Sequence, residues 1–142
     1  SPEDVRRHME KAGIYLFTSD RQEGWGAVLN EAMNSGCAVV AGDAAGATPF
    51  LVQDGANGSV YHSGDVQELY AKVRRLLDDP STQRACGSAA YRTITGLWNA
   101  ETAAERFLQL SQALLDGRDA TRLFADGPCS PASLLREDWY RK

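Results

Sequence analysis

Ile14-Tyr15-Leu16-Phe17, then Gly26 to Ser35 with Val28, Leu29, Ala32 and Met33 at helical spacing, then Cys37-Ala38-Val39-Val40-Ala41: this stretch decides the fold. The first run follows the Gly13 stop, is too short for a helix and is rich in strand formers, so it reads as a buried parallel strand. The second segment reads as a helix that Gly36 stops, and the third as another strand. Further on, Thr48 to Val52 makes a brief helix with Pro49 near its first position. Gly58 to Tyr61 is a third strand after the turn-rich Asp54-Gly55-Ala56-Asn57. Strand, helix, strand, helix, strand implies an α/β chain whose parallel sheet is covered by helices. The expected strands lie near residues 14–18, 37–41 and 58–61, with Ile14, Leu16, Val39, Val40, Leu69, Val73, Leu76 and Phe107 buried.

On the N-terminal side, Ser1, Pro2 and Asp4 are the cap, first and third positions of a helix, so the chain, which opens without Met, reads as an excised piece. The second half is helical. Asp65 caps a helix whose Glu68 completes a capping box, and Val66, Leu69, Tyr70, Val73, Leu76 and Leu77 form its apolar stripe up to Pro80. Ser81 is the expected cap of the next helix, through about Thr93. Asn99 caps a third, in which Ala103, Phe107, Leu110 and Leu114 share a face. Beyond Asp116 the pattern weakens, and Leu134, Leu135 and Trp139 suggest a last short amphipathic helix. The expected division is therefore an α/β domain over 1–115 and an extension over 116–142.

Among the 142 residues, 15 Lys and Arg face 19 Asp and Glu, a formal charge of −4. A mildly acidic chain excludes a nucleic-acid backbone or an anionic membrane as main partner, since both call for clustered cations. With 43% hydrophobic residues it can bury a core, yet no run reaches the roughly 20 apolar residues of a bilayer span, and a soluble, cytoplasmic protein is expected. Cys37, Cys86 and Cys129 are odd in number and widely spaced, which fits neither a disulfide framework nor a zinc site. His8 and His62 read as surface or packing residues.

The chemistry concentrates in Glu23-Gly24-Trp25-Gly26-Ala27-Val28-Leu29-Asn30-Glu31-Ala32. In a parallel α/β sheet, ligands bind beyond the carboxyl ends of the strands, where this loop lies. Gly24 and Gly26 allow close backbone approach, and the helix opening near Gly26 or Ala27 offers unpaired amides that suit a diphosphate. Carboxylates accept two hydroxyl hydrogen bonds each, which suits vicinal hydroxyls of a sugar or ribose. Glu31 sits among core-facing positions, an unusual place for an acid without a partner. Trp25 reads as packing more than as a stacking surface, and Asp20 and Arg21 stand just before the loop.

Glu23, seven residues and Glu31, followed by Ala32-Met33-Asn34-Ser35-Gly36-Cys37-Ala38-Val39-Val40-Ala41, resemble the nucleotide-sugar-binding signature of retaining family 4 (group 1) glycosyltransferases. The likeness continues through Gly46-Ala47-Thr48-Pro49-Phe50-Leu51-Val52, Asp54 to Gly58, Asp65 with its helix, and Asp78-Asp79-Pro80, covering roughly residues 5–110. Two departures stand out: Phe50 replaces the acid that commonly follows the proline, and Ala47 replaces a second glycine. Both remove polar contacts from that loop, leaving the backbone groups of Gly46 and Thr48.

The resemblance implies a GT-B enzyme of two Rossmann-like domains, of which this chain is similar to the second half of the C-terminal, donor-binding one, so that 1–115 is a donor-domain fragment. It implies transfer of a hexosyl-type sugar from a UDP-, GDP- or ADP-sugar, with retention of configuration, to an acceptor sugar or glycolipid held by an N-terminal domain. Glu23 takes the catalytic, sugar-facing role, Glu31 binds the ribose, and the amides around Gly24, Trp25, Gly26, Ala27 and Val28 contact sugar and phosphate oxygens. No cofactor or metal is called for, because no Asp-X-Asp motif occurs, and the basic diphosphate ligands of such enzymes lie upstream of Ser1. The fragment alone is expected to be inactive and to self-associate through an open strand edge, and the intact enzyme to be cytoplasmic or peripheral to a membrane. The rival reading is a non-catalytic nucleotide- or sugar-binding or regulatory α/β module.

Overall fold

The computed structural model describes residues 1–132, so the short helix expected around Leu134, Leu135 and Trp139 lies outside the described residues. The elements are α1 (Pro2–Lys11), β1 (Ile14–Phe17), α2 (Ala27–Asn34), β2 (Ala38–Gly42), α3 (Thr48–Leu51), β3 (Ser59–Tyr61), α4 (Val66–Asp78), α5 (Pro80–Gly96) and α6 (Ala100–Leu115). The sheet order is β1-β2-β3 and both pairings are parallel, with Ile14 opposite Ala38 and Val40 opposite Ser59.

β2 is central and buried throughout, because helices cover both of its faces. Val39 and Ala41 point into a core built with Phe17, Leu29, Ala32 and Met33, to which α5 adds Ala90 and Ile94. Ala38 and Val40 point the other way, towards Tyr61, Leu76 and Cys86. Two-sided burial explains why this strand reads as an unbroken apolar run. Each of its valines contributes about 1.5–3 kcal/mol of transfer free energy. Cys37, at the strand's entrance, is buried and donates its thiol to the Met9 carbonyl at 3.1 Å; burial pushes its pKa up.

Three expectations are corrected. Leu16 is 45% exposed, because α4 lies over β2 and β3 and leaves that face of β1 bare; Ile14, Leu69 and Val73 are half-buried. Phe107 is 62% exposed, and Ala113 is the buried residue of α6, since no described element covers the stripe running through Phe107 and Leu114. The cap of α5 is Asp79, not Ser81. Its carboxylate takes the amides of Ser81 and Thr82 as well as both hydroxyls, and these bonds hold it far below the usual carboxylate range. With Pro80 at the first helical position, the cap falls one residue before the proline.

Candidate donor site at the open end of the sheet

Chain leaving β1 crosses the carboxyl edge of the sheet through residues 18–26 and turns into α2. Gly26 makes that turn in the left-handed region, at φ 83°, and a Cβ there would lie 2.5 Å from the Phe17 ring. Its glycine is therefore demanded by the turn and by packing. Gly24 is the opposite case, since nothing stands within 4 Å of where its Cβ would be. The loop thus packs against the core at Gly26 and opens at Gly24.

α2 begins at Ala27 without a side-chain cap. Its first amides, Ala27 and Val28, have no intrahelical acceptor, and the helix dipole places partial positive charge there. Glu23 stands exposed beside this opening, where its Oε2 accepts from the Ser19 hydroxyl at 3.2 Å and its amide donates to the Asp20 carbonyl at 3.0 Å. Asp20 itself closes the turn by accepting from the amide of Gln22.

Glu31 lies one turn into α2. It is exposed and, with Asn34 and Ser35, forms one wall of a cleft of about 340 Å³. The other wall is one side of α1, from Pro2 to Met9. Tyr15, half-buried on β1, is a residue that the sequence reading did not single out. Burial pushes its phenol up, and the Glu31 carboxylate, Cys37 and the Glu23 carboxylate add to the rise. One phenol thus feels the charge of both acids. A lone tyrosine in a strand that otherwise reads as core carries no sequence signal for that position.

The loop before α3 closes the far side. Its amides are already spent: that of Gly46 donates to the Gly24 carbonyl at 3.1 Å, that of Ala47 to the Trp25 carbonyl at 2.9 Å, and that of Thr48 to the Ala45 carbonyl at 3.1 Å. The expectation that Gly46 and Thr48 keep backbone groups for a ligand is thus corrected for their amides. Phe50 stacks on Trp25 with ring centroids 5.7 Å apart. The Trp25 ring thus makes packing contacts while the residue stays 41% exposed. His62 is likewise structural, its Nδ1 lying 2.8 Å from Asp43 Oδ2 in a tie between the ends of β2 and β3. Among the described residues no cluster of three or more His, Cys, Asp or Glu has the arrangement of a metal site, and no helix is long and apolar enough to cross a membrane.

Two separated carboxylates, an uncapped helix start and an open glycine form a surface with acceptors for hydroxyls and donors for phosphate oxygens. Residues 1–93 match the family described as Glycosyl transferases group 1. The chain belongs to the group 1 glycosyltransferase family. This glycosyltransferase chain is 37% identical over 104 residues to the Sulfoquinovosyl transferase SQD2 of Arabidopsis thaliana, covering 71% of the chain and 20% of that protein. It is 36% identical over 98 residues to the GDP-mannose-dependent alpha-(1-6)-phosphatidylinositol monomannoside mannosyltransferase of Mycolicibacterium smegmatis, covering 69% of the chain and 25% of that protein. Its fold is shared with Alr3699/HepE of Anabaena, solved with UDP, at a TM-score of 0.68 and 27% identity over 75% of this chain and 29% of that one. Sucrose-phosphate synthase of Thermosynechococcus elongatus follows at 0.66 and 26%, covering 78% and 27%. These neighbours are GT-B enzymes. The chain spans a fifth to a quarter of the length of the two relatives named first.

Proposed function

We propose that this chain supplies the donor half-site of a retaining hexosyl-type transferase, with Glu23 facing the hydroxyls of the transferred sugar and Glu31 binding the ribose of a nucleoside diphosphate. The observation that carries the reading is the division of labour around α2. Glu23 stands at the helix start beside the open face of Gly24, and Glu31 stands one turn deeper on a separate cleft against α1. A nucleotide-sugar laid across the helix start puts its diphosphate over the Ala27 and Val28 amides, between the two carboxylates. That the Anabaena neighbour was solved with UDP and with UDP-glucose supports a nucleotide-sugar as donor.

In this scheme the amide dipoles stabilise the charge that develops on the leaving diphosphate, and they are aimed before the reaction begins. The acceptor, a sugar or glycolipid held by a domain outside this chain, attacks from the face the diphosphate leaves, so configuration is retained. The fragment alone lacks the acceptor wall and turns over no donor. The division into a donor domain over 1–115 and an extension from residue 116 onward belongs to the same proposal.

Glutamate substitutions in the full-length transferase test the assignment. Glu31→Ala removes ribose hydrogen bonds made in ground and transition states alike, so it weakens donor and free nucleoside diphosphate together, by roughly 10- to 150-fold for a charged hydrogen bond worth about 1.5–3 kcal/mol. Glu23→Ala spares the free nucleotide and lowers turnover, because its contact exists only with the sugar in place. Calorimetry with UDP, GDP and ADP beside donor kinetics reads both. Equal loss of nucleotide affinity in the two variants overturns the assignment, and the anomeric proton signals of the product test retention.

A further inference from the structure

Trp25 is the one bulky side chain in the Glu23–Gly26 loop, and its ring is held from two sides of the sequence. Phe50 of α3 lies 5.7 Å from it with 28° between the planes, and Trp98 lies 5.8 Å away at 39°, both distances normal for interacting rings. The indole Nε1 donates to Asn30 Oδ1 at 2.9 Å, so the ring is tied to α2 as well.

The two gripping rings stand on elements that a buried amide joins. Asn57, 4% exposed, donates through Nδ2 to the Leu51 carbonyl at 2.9 Å and to Thr93 Oγ1 at 3.0 Å, and its Oδ1 accepts from the Gln53 amide at 2.7 Å. Leu51 follows Phe50 in α3, and the Thr93 carbonyl accepts from the Trp98 amide at 3.0 Å. The contacts therefore close on themselves: Trp25, Phe50, Leu51, Asn57, Thr93, Trp98 and back to Trp25. A satisfied buried amide cannot shift without stranding its partners, which makes this link stiff. Trp98 lies beyond the residues that match the family.

We propose that Phe50 and Trp98 are positioning residues for sugar transfer. Gripping Trp25 through the Asn57 frame, they hold the loop that places the Glu23 carboxylate and the open side of Gly24 against the sugar. The proposal rests on the reading of Glu23 as the sugar-facing acid. It does not involve the Glu31 cleft, whose walls are α1 and the C-terminal half of α2.

Steady-state kinetics and UDP calorimetry on the full-length transferase, with Phe50→Ala, Trp98→Ala, Trp98→Phe and Glu23→Ala, decide it. A reacting group displaced by about 1 Å loses on the order of 100-fold in rate, so both alanine variants are expected to drop kcat about 10- to 100-fold while the Kd for UDP stays within about twofold, and Trp98→Phe is expected to restore most of the rate. Unchanged kcat in both alanine variants, beside an impaired Glu23→Ala, overturns the positioning role and leaves Glu23 standing. Parallel loss of UDP affinity and kcat with a lower melting temperature also overturns it, because that marks general destabilisation. Full turnover in Glu23→Ala overturns the reading of Glu23 and the proposal with it. Phe50, 38% exposed, carries the test where Trp98→Ala loses the fold.

Discussion

The Gly46 amide donates to the Gly24 carbonyl at 3.1 Å, and a Cβ built on Gly46 would lie 2.3 Å from that same oxygen. The donor loop and the loop before α3 thus touch backbone to backbone, and no side chain fits between them. Gly46→Ala should push the two loops apart at a cost of about 1–3 kcal/mol, the range for forced overpacking. Its neighbour differs. Ala47 is fully buried with ordinary αR geometry, so its methyl is accommodated and Ala47→Gly should strain nothing, costing the added chain entropy of about 0.5–1 kcal/mol and the lost burial of one methyl, about 0.8 kcal/mol. Urea unfolding of the two variants measures both, and equal effects would contradict the geometry.

Gly24 and Gly26 should separate in the same way, though they look alike in the sequence. Gly26→Ala meets a left-handed backbone and the Phe17 ring, so it should lower the melting temperature by several degrees for a penalty of about 1–3 kcal/mol. Gly24→Ala meets nothing within the protein. It should leave the melting temperature unchanged and weaken nucleotide-sugar binding, because the methyl projects into the space assigned to the ligand. Thermal melts beside donor titrations distinguish the two, and a stability loss at Gly24 would remove it from the ligand face.

These contrasts mark how far the sequence could be read. The unbroken run Cys37–Ala41 announced a strand buried on both faces, and Asp65 and Asn99 announced helix starts, because those signals are local. Leu16 and Phe107 misled for a common reason: an apolar residue in a periodic pattern says which way it points, not whether another element covers it. Trp25, Phe50 and Trp98 come together only through tertiary contact across 73 residues of sequence. No period or spacing encodes that meeting. Glu23 and Glu31 were legible as a motif, whereas Tyr15, whose phenol feels both, was not.

Tyr15 offers a spectroscopic check on where the two acids lie. Its pKa is raised by burial first, then by Glu31, Cys37 and Glu23, so the neutral phenol is favoured in the folded protein. A folded pKa above the unfolded value of about 10 contributes stability that is complete below that pH and is lost as pH climbs through the folded pKa. Tyr61, raised by burial and Asp43, adds in the same direction, so the fold should weaken in alkali above about pH 10. Removing a nearby negative charge must lower the Tyr15 value. NMR titration of the Tyr15 ring should show a lower pKa in Glu31→Gln and a smaller decrease in Glu23→Gln. An unmoved Tyr15 in Glu31→Gln would mean that this carboxylate points away from the strand.

β1 pairs with β2 along one edge, and no described strand occupies the other. The backbone donors and acceptors of alternate residues of this four-residue strand therefore stand open beside Leu16, whose side chain is 45% exposed. An open edge next to an apolar residue is a template for another strand, and natural proteins blunt such edges with lysine. The isolated chain should accordingly self-associate as its concentration rises, with β1 as the contact. Leu16→Lys should shift that equilibrium towards monomer with little cost in stability, because the side chain already faces solvent. Sedimentation velocity over a concentration series reads the outcome. A wild-type chain that stays monomeric at the highest concentration refutes the edge as a contact, and an association that Leu16→Lys leaves intact moves the contact elsewhere, with the exposed stripe of α6 through Phe107 and Leu114 as the next surface to substitute.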